Sequence, residues 1–467
     1  MRLRRALAAG LLIGAGCAAT PATVGAATKP GERPNILVIV TDDQRAEGTL
    51  DVMPKTRRWF AREGTTFTNA FVTTPLCCPS RASILTGNYA HNHFAFVNDI
   101  NRSSAPFEHS RGIQRYLRKG GYRTGIVGKY LNGFPLESKP PFFDDYFVHE
   151  AFYYRSRWNA QGKVKDVRGY STTYARNRSR QLLRKYDKGK KPWFLYVATN
   201  APHSPLTSEP KYRGSDCGPP PNDPAVTETD LADKPPWIKR LDQGREFAFG
   251  VRCDQRRILR SADDMVDGIM GELRRLGESR NTLAIFTSDN GLFWGEHGNL
   301  AIKDLPYDPS TKVPMLMRWP GKVARGRIDD RLVANLDIAP TAVDATGIRG
   351  PLMDGRSLLS RGSRDRLLLE YGGLTDLIPA WSAIRRPTQQ YTEYYSFPGR
   401  DRTHALPGGA ATERQNEASF LEYYDLLADP FQVDNIASRR EPPVPPELSE
   451  LASQLHRDMD CRGRTCP

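Results

Sequence analysis

The chain has 467 residues, of which 39% are hydrophobic, 26% charged and 10% aromatic. That balance is too rich in core-forming side chains for a disordered chain, and the length is several times what one hydrophobic core needs, so a minimal binding peptide is excluded. The 67 Lys and Arg against 53 Asp and Glu leave a net charge of +14, which favours polyanionic partners: nucleic acid, an anionic surface, or a sulfated or phosphorylated compound.

Met1-Arg2-Leu3-Arg4-Arg5, the apolar run over residues 6–19 and the small residues Val24-Gly25-Ala26 have the pattern of an export signal, predicted over residues 1–27. The run is too short to span a bilayer comfortably, and no later stretch approaches about 20 apolar residues. The expectation is a secreted or otherwise extracytoplasmic protein with no integral membrane segment. Ile13-Gly14-Ala15-Gly16-Cys17 also approximates a lipoprotein cleavage box, with Gly14 where Leu is usual, so lipid anchoring at Cys17 is the secondary reading.

Further along, four β-type runs each lead into a polar cluster. Residues 35–40 run into Thr41-Asp42-Asp43, residues 123–127 into Gly128-Lys129, residues 193–198 into Ala201-Pro202-His203, and residues 282–286 into Ser288-Asp289-Asn290-Gly291. Continuous apolar runs of this length suit strands buried on both faces of a mainly parallel sheet sandwiched by helices, and open α/β sheets build their sites just past such strand ends. Between the last two runs, Ile258, Leu259, Ala262, Met265, Val266, Ile269, Met270 and Leu273 recur at helical spacing and predict a long covering helix. The Pro-rich stretch 204–237 reads as a surface loop bordering the site.

After about Gly355 the pattern changes to short strands over 381–385, 391–395 and 420–427 separated by turns, and the Pro-rich stretch 441–446 introduces a last helix carrying Leu448, Leu451, Leu455 and Met459. The predicted organisation is an α/β domain over 34–355 and a smaller α+β subdomain over 356–467. Of the cysteines beyond Cys17, Cys461 and Cys466 could close a small loop, and Cys217 and Cys253 could staple a loop to the helix after it. The doublet Cys77-Cys78 needs another explanation, because adjacent cysteines pair poorly.

The segment 77–87, Cys-Cys-Pro-Ser-Arg-Ala-Ser-Ile-Leu-Thr-Gly, reads as about two helical turns with Pro79 in the first turn and Gly87 as the stop. Cys77 then sits at a helix N-terminus, where backbone N–H groups and the positive end of the dipole favour an anion, and Arg81 can aim its guanidinium at the same place. Asp42-Asp43 and Asp289-Asn290 supply only oxygen ligands, the preference of a hard cation such as Ca²⁺ or Mg²⁺ rather than Zn²⁺. Either pair alone is commonly a turn or a cap. Both follow buried strands, which makes them one candidate site.

The pattern at 77–87 resembles the signature of the type I sulfatases of the alkaline phosphatase superfamily, Cys-x-Pro-Ser-Arg-x-x-x-Leu-Thr-Gly, with every fixed position filled. The resemblance implies an alkaline phosphatase-like fold, a sulfuric ester hydrolase, and conversion of Cys77 to a formylglycine nucleophile by a formylglycine-generating enzyme during maturation. It implies one divalent cation, Ca²⁺ ahead of Mg²⁺, held by Asp42, Asp43, Asp289, Asn290 and the modified Cys77. Arg81, Lys129, His203 and Lys303 would be catalytic, and His297 would either support its loop or touch substrate. Many sulfatases read Gly-Lys-Trp-His where this chain has Gly128-Lys129-Tyr130-Leu131-Asn132, and Leu131 cannot act as acid or base. Gly-Lys-Tyr-Leu-Asn, Cys-Cys-Pro-Ser-Arg and His91-Asn92-His93 resemble instead the N-acetylglucosamine-6-sulfatases and the extracellular heparan 6-O-endosulfatases. The implied substrate is a sulfated small molecule or glycan with a 6-O-sulfate on a glucosamine-type sugar. Competing readings are a phosphodiester or phosphonate hydrolase, a broad arylsulfatase, and a non-enzymatic binder of sulfated glycans. Nucleic acid is excluded as a partner because the basic residues are dispersed and no recognition motif occurs.

Overall fold

The computed structural model describes residues 33–102, 107–150, 152–189, 191–373, 377–395, 418–438 and 447–467. The predicted export signal, Cys17 and the Pro-rich stretch 441–446 lie outside the described residues.

In chain order the principal elements are β1 (Asn35–Thr41), β2 (Thr65–Phe71), α1 (Cys77–Thr86), α2 (Ile113–Lys119), β3 (Arg123–Gly128), β4 (Asp145–His149), β5 (Ser156–Ala160), β6 (Lys163–Val167), α3 (Ser171–Gly189), β7 (Trp193–Ala198), α4 (Arg245–Arg275), β8 (Thr282–Ser288), β9 (Met315–Arg318), β10 (Arg327–Ala334) and α5 (Ile338–Thr346). The ten strands form one sheet in the order β10-β2-β9-β8-β1-β7-β3-β4-β5-β6. Its centre, β8-β1-β7-β3-β4, is wholly parallel, whereas β9, β5 and β6 run antiparallel to their neighbours. Alternation along β1 accounts for the two helical layers, since successive side chains of a strand point to opposite faces. Ile36, Val38 and Val40 pack with Ala82 and Leu85 of α1, Leu117 of α2 and Ala339 of α5. Leu37 and Ile39 pack on the other face with Leu182 of α3 and Ile258, Met265 and Ile269 of α4. The long covering helix foreseen around 258–273 is the 31-residue α4.

The second sheet consists of β11 (Leu367–Tyr371), β12 (Trp381–Arg385), β13 (Gln389–Tyr395) and β14 (Ala418–Asp425), all antiparallel, and it is accompanied by the helix α6 (Glu447–Met459). Three of these strands match the expected runs. The first, Leu-Leu-Leu-Glu-Tyr, was not foreseen. This sheet shares a core with the large one: Leu369, Trp381, Tyr394, Tyr424 and Leu455 pack with Phe71, Tyr89, Phe293 and Tyr307. Cys217–Cys253 and Cys461–Cys466 are disulfides, and Cys77 and Cys78 are free and buried.

Candidate active site

The parallel strands deliver polar chain to one edge of the sheet. Asp42 and Asp43 follow β1, Asp289 and Asn290 follow β8, Lys129 follows β3, and the chain leaving β7 reaches His203. The two acidic turns are tied together by backbone donors, Asp43 N–H to Asp289 Oδ1 at 3.2 Å and Gln44 N–H to Ser288 Oγ at 2.9 Å. Asp43 itself sits in the left-handed region at φ 66°, which Asp and Asn tolerate better than most residues.

Cys77 begins α1 after the extended residue Leu76, and α1 stops at Gly87, whose φ of 72° suits a glycine stop and whose added Cβ would lie 2.9 Å from Met353 Sδ. Two amides fix the helix in place. Asn98 Oδ1 accepts from Cys78 N–H at 2.9 Å, and Asn335 donates to Ser80 Oγ at 2.8 Å while its Oδ1 accepts from Thr73 N–H at 3.2 Å. Neither amide belongs to a local motif, and nothing in the sequence announced them.

The cations close around the carboxylates. Arg81, fully buried, donates through Nε to Asp289 Oδ2 at 2.8 Å and places Nη2 3.3 Å from Asp42 Oδ2. Lys129 Nζ donates to Asp42 Oδ2 at 2.7 Å, and Lys303 Nζ donates both to Asp43 Oδ1 at 2.6 Å and to Cys77 Sγ at 2.9 Å. The Cys77 thiol in turn donates to Asp42 Oδ1 at 3.4 Å. Ligand atoms of Asp42, Asp43, Cys77 and His203 all lie within 4.8 Å of one another. His203 Nε2 is 3.7 Å from Asp43 Oδ2.

Burial alone would raise the Asp42 carboxyl, but Lys129, His203, Arg81 and Lys303 hold it well below the usual carboxylate range. Burial lifts Asp289 to about 6 against the pull of Arg81, with Asp42 adding repulsion. Burial would lower His203, yet the facing Asp43 and Asp42 raise it to about 9. Cys78 is different in kind from its neighbour. Burial pushes its thiol up to about 12, and its Sγ contacts Asn132 O at 3.8 Å, away from the carboxylates.

The donor set fits a hard divalent cation. Asp42, Asp43 and Asp289 converge, and Asn290 Oδ1 is a buried acceptor without a hydrogen-bond partner among the described residues, while its Nδ2 donates to Asp43 Oδ1 at 2.6 Å. His297 has partners of its own. It is buried, its Nδ1 pairs with Glu228 Oε2 at 2.7 Å, and its ring stacks on Tyr307 with centroids 4.3 Å apart.

Fold and edge together define an open α/β protein whose central strands end in a buried centre able to hold an anion beside a hard cation. The sulfatase family model matches residues 34–348, and the chain belongs to the sulfatase family. It is 36% identical over 347 residues to an extracellular sulfatase SULF-1 homolog of Drosophila melanogaster, a match covering 70% of this chain and 31% of that protein. The chain thus spans less than a third of that relative. It is 33% identical over 481 residues to the N-acetylglucosamine-6-sulfatase of Homo sapiens, covering 93% of this chain and 86% of the relative. A solved protein in complex with its substrate D-glucosamine-2-N,6-O-disulfate shares the fold with a TM-score of 0.73 at 22% identity, covering 91% of this chain and 97% of that one. Among the described residues, no helix is long and apolar enough to cross a membrane.

Proposed function

We propose that the protein is a secreted, metal-dependent sulfuric ester hydrolase that removes a 6-O-sulfate from a glucosamine-type sugar. The observation that carries this reading is the convergence of Arg81, Lys129 and Lys303 with three buried carboxylates around Cys77, beside the unpartnered Asn290 Oδ1. The human relative, matched along most of both chains, supports the choice of sugar.

Asp42, Asp43, Asp289 and Asn290 would hold the cation, Ca²⁺ ahead of Mg²⁺, which would supply positive charge beside the sulfate. Cys77 converted to formylglycine would supply an oxygen nucleophile in place of the thiol. The chain's own residues do the rest. Lys129 and Arg81 orient the sulfate and offset the charge that grows on it during transfer, a task at which fixed charges in a dry site are most effective. Lys303, already within 2.9 Å of the nucleophile position, stabilises charge there. His203, drawn toward its protonated form by Asp43 and Asp42, is placed to give a proton to the departing alcohol.

The deciding experiment has two parts. Mass spectrometry of the peptide containing Cys77 should show an aldehyde. Purified protein should release sulfate from glucosamine 6-sulfate faster than from an aryl sulfate, and phosphate or phosphonate esters should be poorer still. A preference for the phosphorus esters would move the chain to the phosphonate hydrolase reading, and an aryl preference would remove the sugar assignment alone.

A further inference from the structure

β3 and β4 run parallel with Gly128 opposite Val148, so Lys129 and His149 leave the sheet edge side by side. Gly128 makes the approach possible on its other flank: its φ is 106°, and a Cβ there would lie 1.9 Å from Ala198 O. The His149 ring is held firmly. It stacks on Trp158 with centroids 4.1 Å apart and planes 14° from parallel, and its Nδ1 bonds the Glu150 carbonyl. A carbonyl can only accept, so Nδ1 carries the hydrogen and Nε2 carries the lone pair. Burial, with the nearby charges of Lys129 and Arg81 adding to it, pushes the ring's pKa down to about 4, which keeps it neutral.

A cavity of about 300 Å³ lies against this edge, lined by Lys129, Leu131, Asn132, His149, Glu150 and Asn98 among others. Two of its lining residues touch the centre: Asn98 accepts from Cys78 N–H in the first turn of α1, and Lys129 reaches Asp42. Its charges are one-sided. Asp99 and Glu150 add carboxylates, and Lys129 is the one Lys or Arg among the described residues lining it. Glu150 is paired with Arg157 at 3.2 Å, and the remaining acceptors on the lining favour a guest that brings hydrogen-bond donors.

We propose that His149 is a specificity-determining residue whose Nε2 accepts a hydrogen bond from a hydroxyl or amine of the leaving alcohol, so that the cavity selects sulfate esters of polyols and amino sugars over aryl esters. The proposal rests on the sulfate ester hydrolase reading above. A site built to pair with a substrate hydroxyl discriminates against esters that lack it, because the acceptor is otherwise left dry and unpaired. Leu131, on the same lining, cannot perform this task.

The test uses His149→Leu and His149→Gln in protein shown by mass spectrometry to carry the converted Cys77, with thermal unfolding as the check on folding. His149→Leu should lower kcat/KM for glucosamine 6-sulfate by about tenfold and leave nitrophenyl sulfate within about twofold. His149→Gln, whose amide oxygen can stand near the Nε2 position, should recover most of the loss. Equal losses on both esters, no loss on either, or Gln no better than Leu would each overturn the proposal. Should the variants fail to fold, the wild-type protein decides: a sugar sulfate no faster than an alkyl sulfate of matched leaving-group acidity overturns it as well. Wild-type protein that releases no sulfate from any ester refutes the hydrolase reading, an outcome distinct from an active enzyme indifferent to residue 149.

Discussion

Glu422 on β14 and Asp42 after β1 are both fully buried carboxylates, yet their neighbours differ in kind. Glu422 accepts hydrogen bonds from three neutral phenols, Tyr307 at 2.6 Å, Tyr394 at 2.7 Å and Tyr424 at 2.9 Å, and burial raises its pKa. Asp42 faces full positive charges instead, and they hold it ionised. Neutral donors satisfy a carboxylate locally and stitch the small sheet to Tyr307, whereas charged partners keep an anion ready for a ligand. The same residue class, at the same depth, serves as mortar in one region and, on the proposed function, as machinery in the other.

The largest expected effect tests the machinery. Cys77→Ala should lower turnover by at least about a thousandfold with the fold intact, whereas Cys78→Ala should be much milder; equal losses in folded proteins would show that the nucleophile is misassigned. Asp289→Ala comes next. It removes a partner of Arg81 and of the Asp43 backbone, and it should cut both metal content and activity by about a hundredfold, an effect that exhaustive chelation reproduces. Full activity with no bound metal by elemental analysis would break the metal assignment.

Glu422→Leu addresses the mortar. Three phenol hydroxyls would lose their acceptor, so unfolding by denaturant should reveal a loss of about 3 kcal/mol, with activity per folded molecule kept. A stable variant with damaged turnover would erase the contrast between the regions. The smallest effect is in pH. His91 is buried and would be lowered by that, but Glu370, 3.0 Å from its Nδ1, raises it to about 9. The folded pKa exceeds the unfolded one, so this pair's contribution is complete below about pH 6.5 and is lost as pH rises through about 9. The slope should be at most about 1 kcal/mol per pH unit, and His91→Gln should flatten it.

The contrast also explains what could be read from the chain. That Asp42, Asp43, Cys77, Arg81, Lys129, Asp289 and Asn290 come together was legible because each lies within a few residues of a strand end or inside one contiguous motif, so local pattern and placement coincide. His149 was missed although it also ends a strand, because Asp145–His149 is only five residues long and alternates too little to stand out. Asn98 and Asn335 act through tertiary contacts alone. In the fold, the central parallel strands were apparent as continuous apolar runs, but β2 reads Thr-Thr-Phe-Thr-Asn-Ala-Phe and α3 is strongly polar, and both depend on long-range packing for their structure.

Cys77 has no solvent exposure, and one wall of its enclosure, Lys303, lies 226 residues further along the chain. Completing that enclosure therefore waits for distant segments to meet, a slow step compared with forming a local helix. If Cys77 is converted as proposed, the converting catalyst would have to act before closure, while residues 77–87 are still an open peptide. Under that proposal, the meeting of segments 226 residues apart would set the latest moment at which the thiol could still be converted.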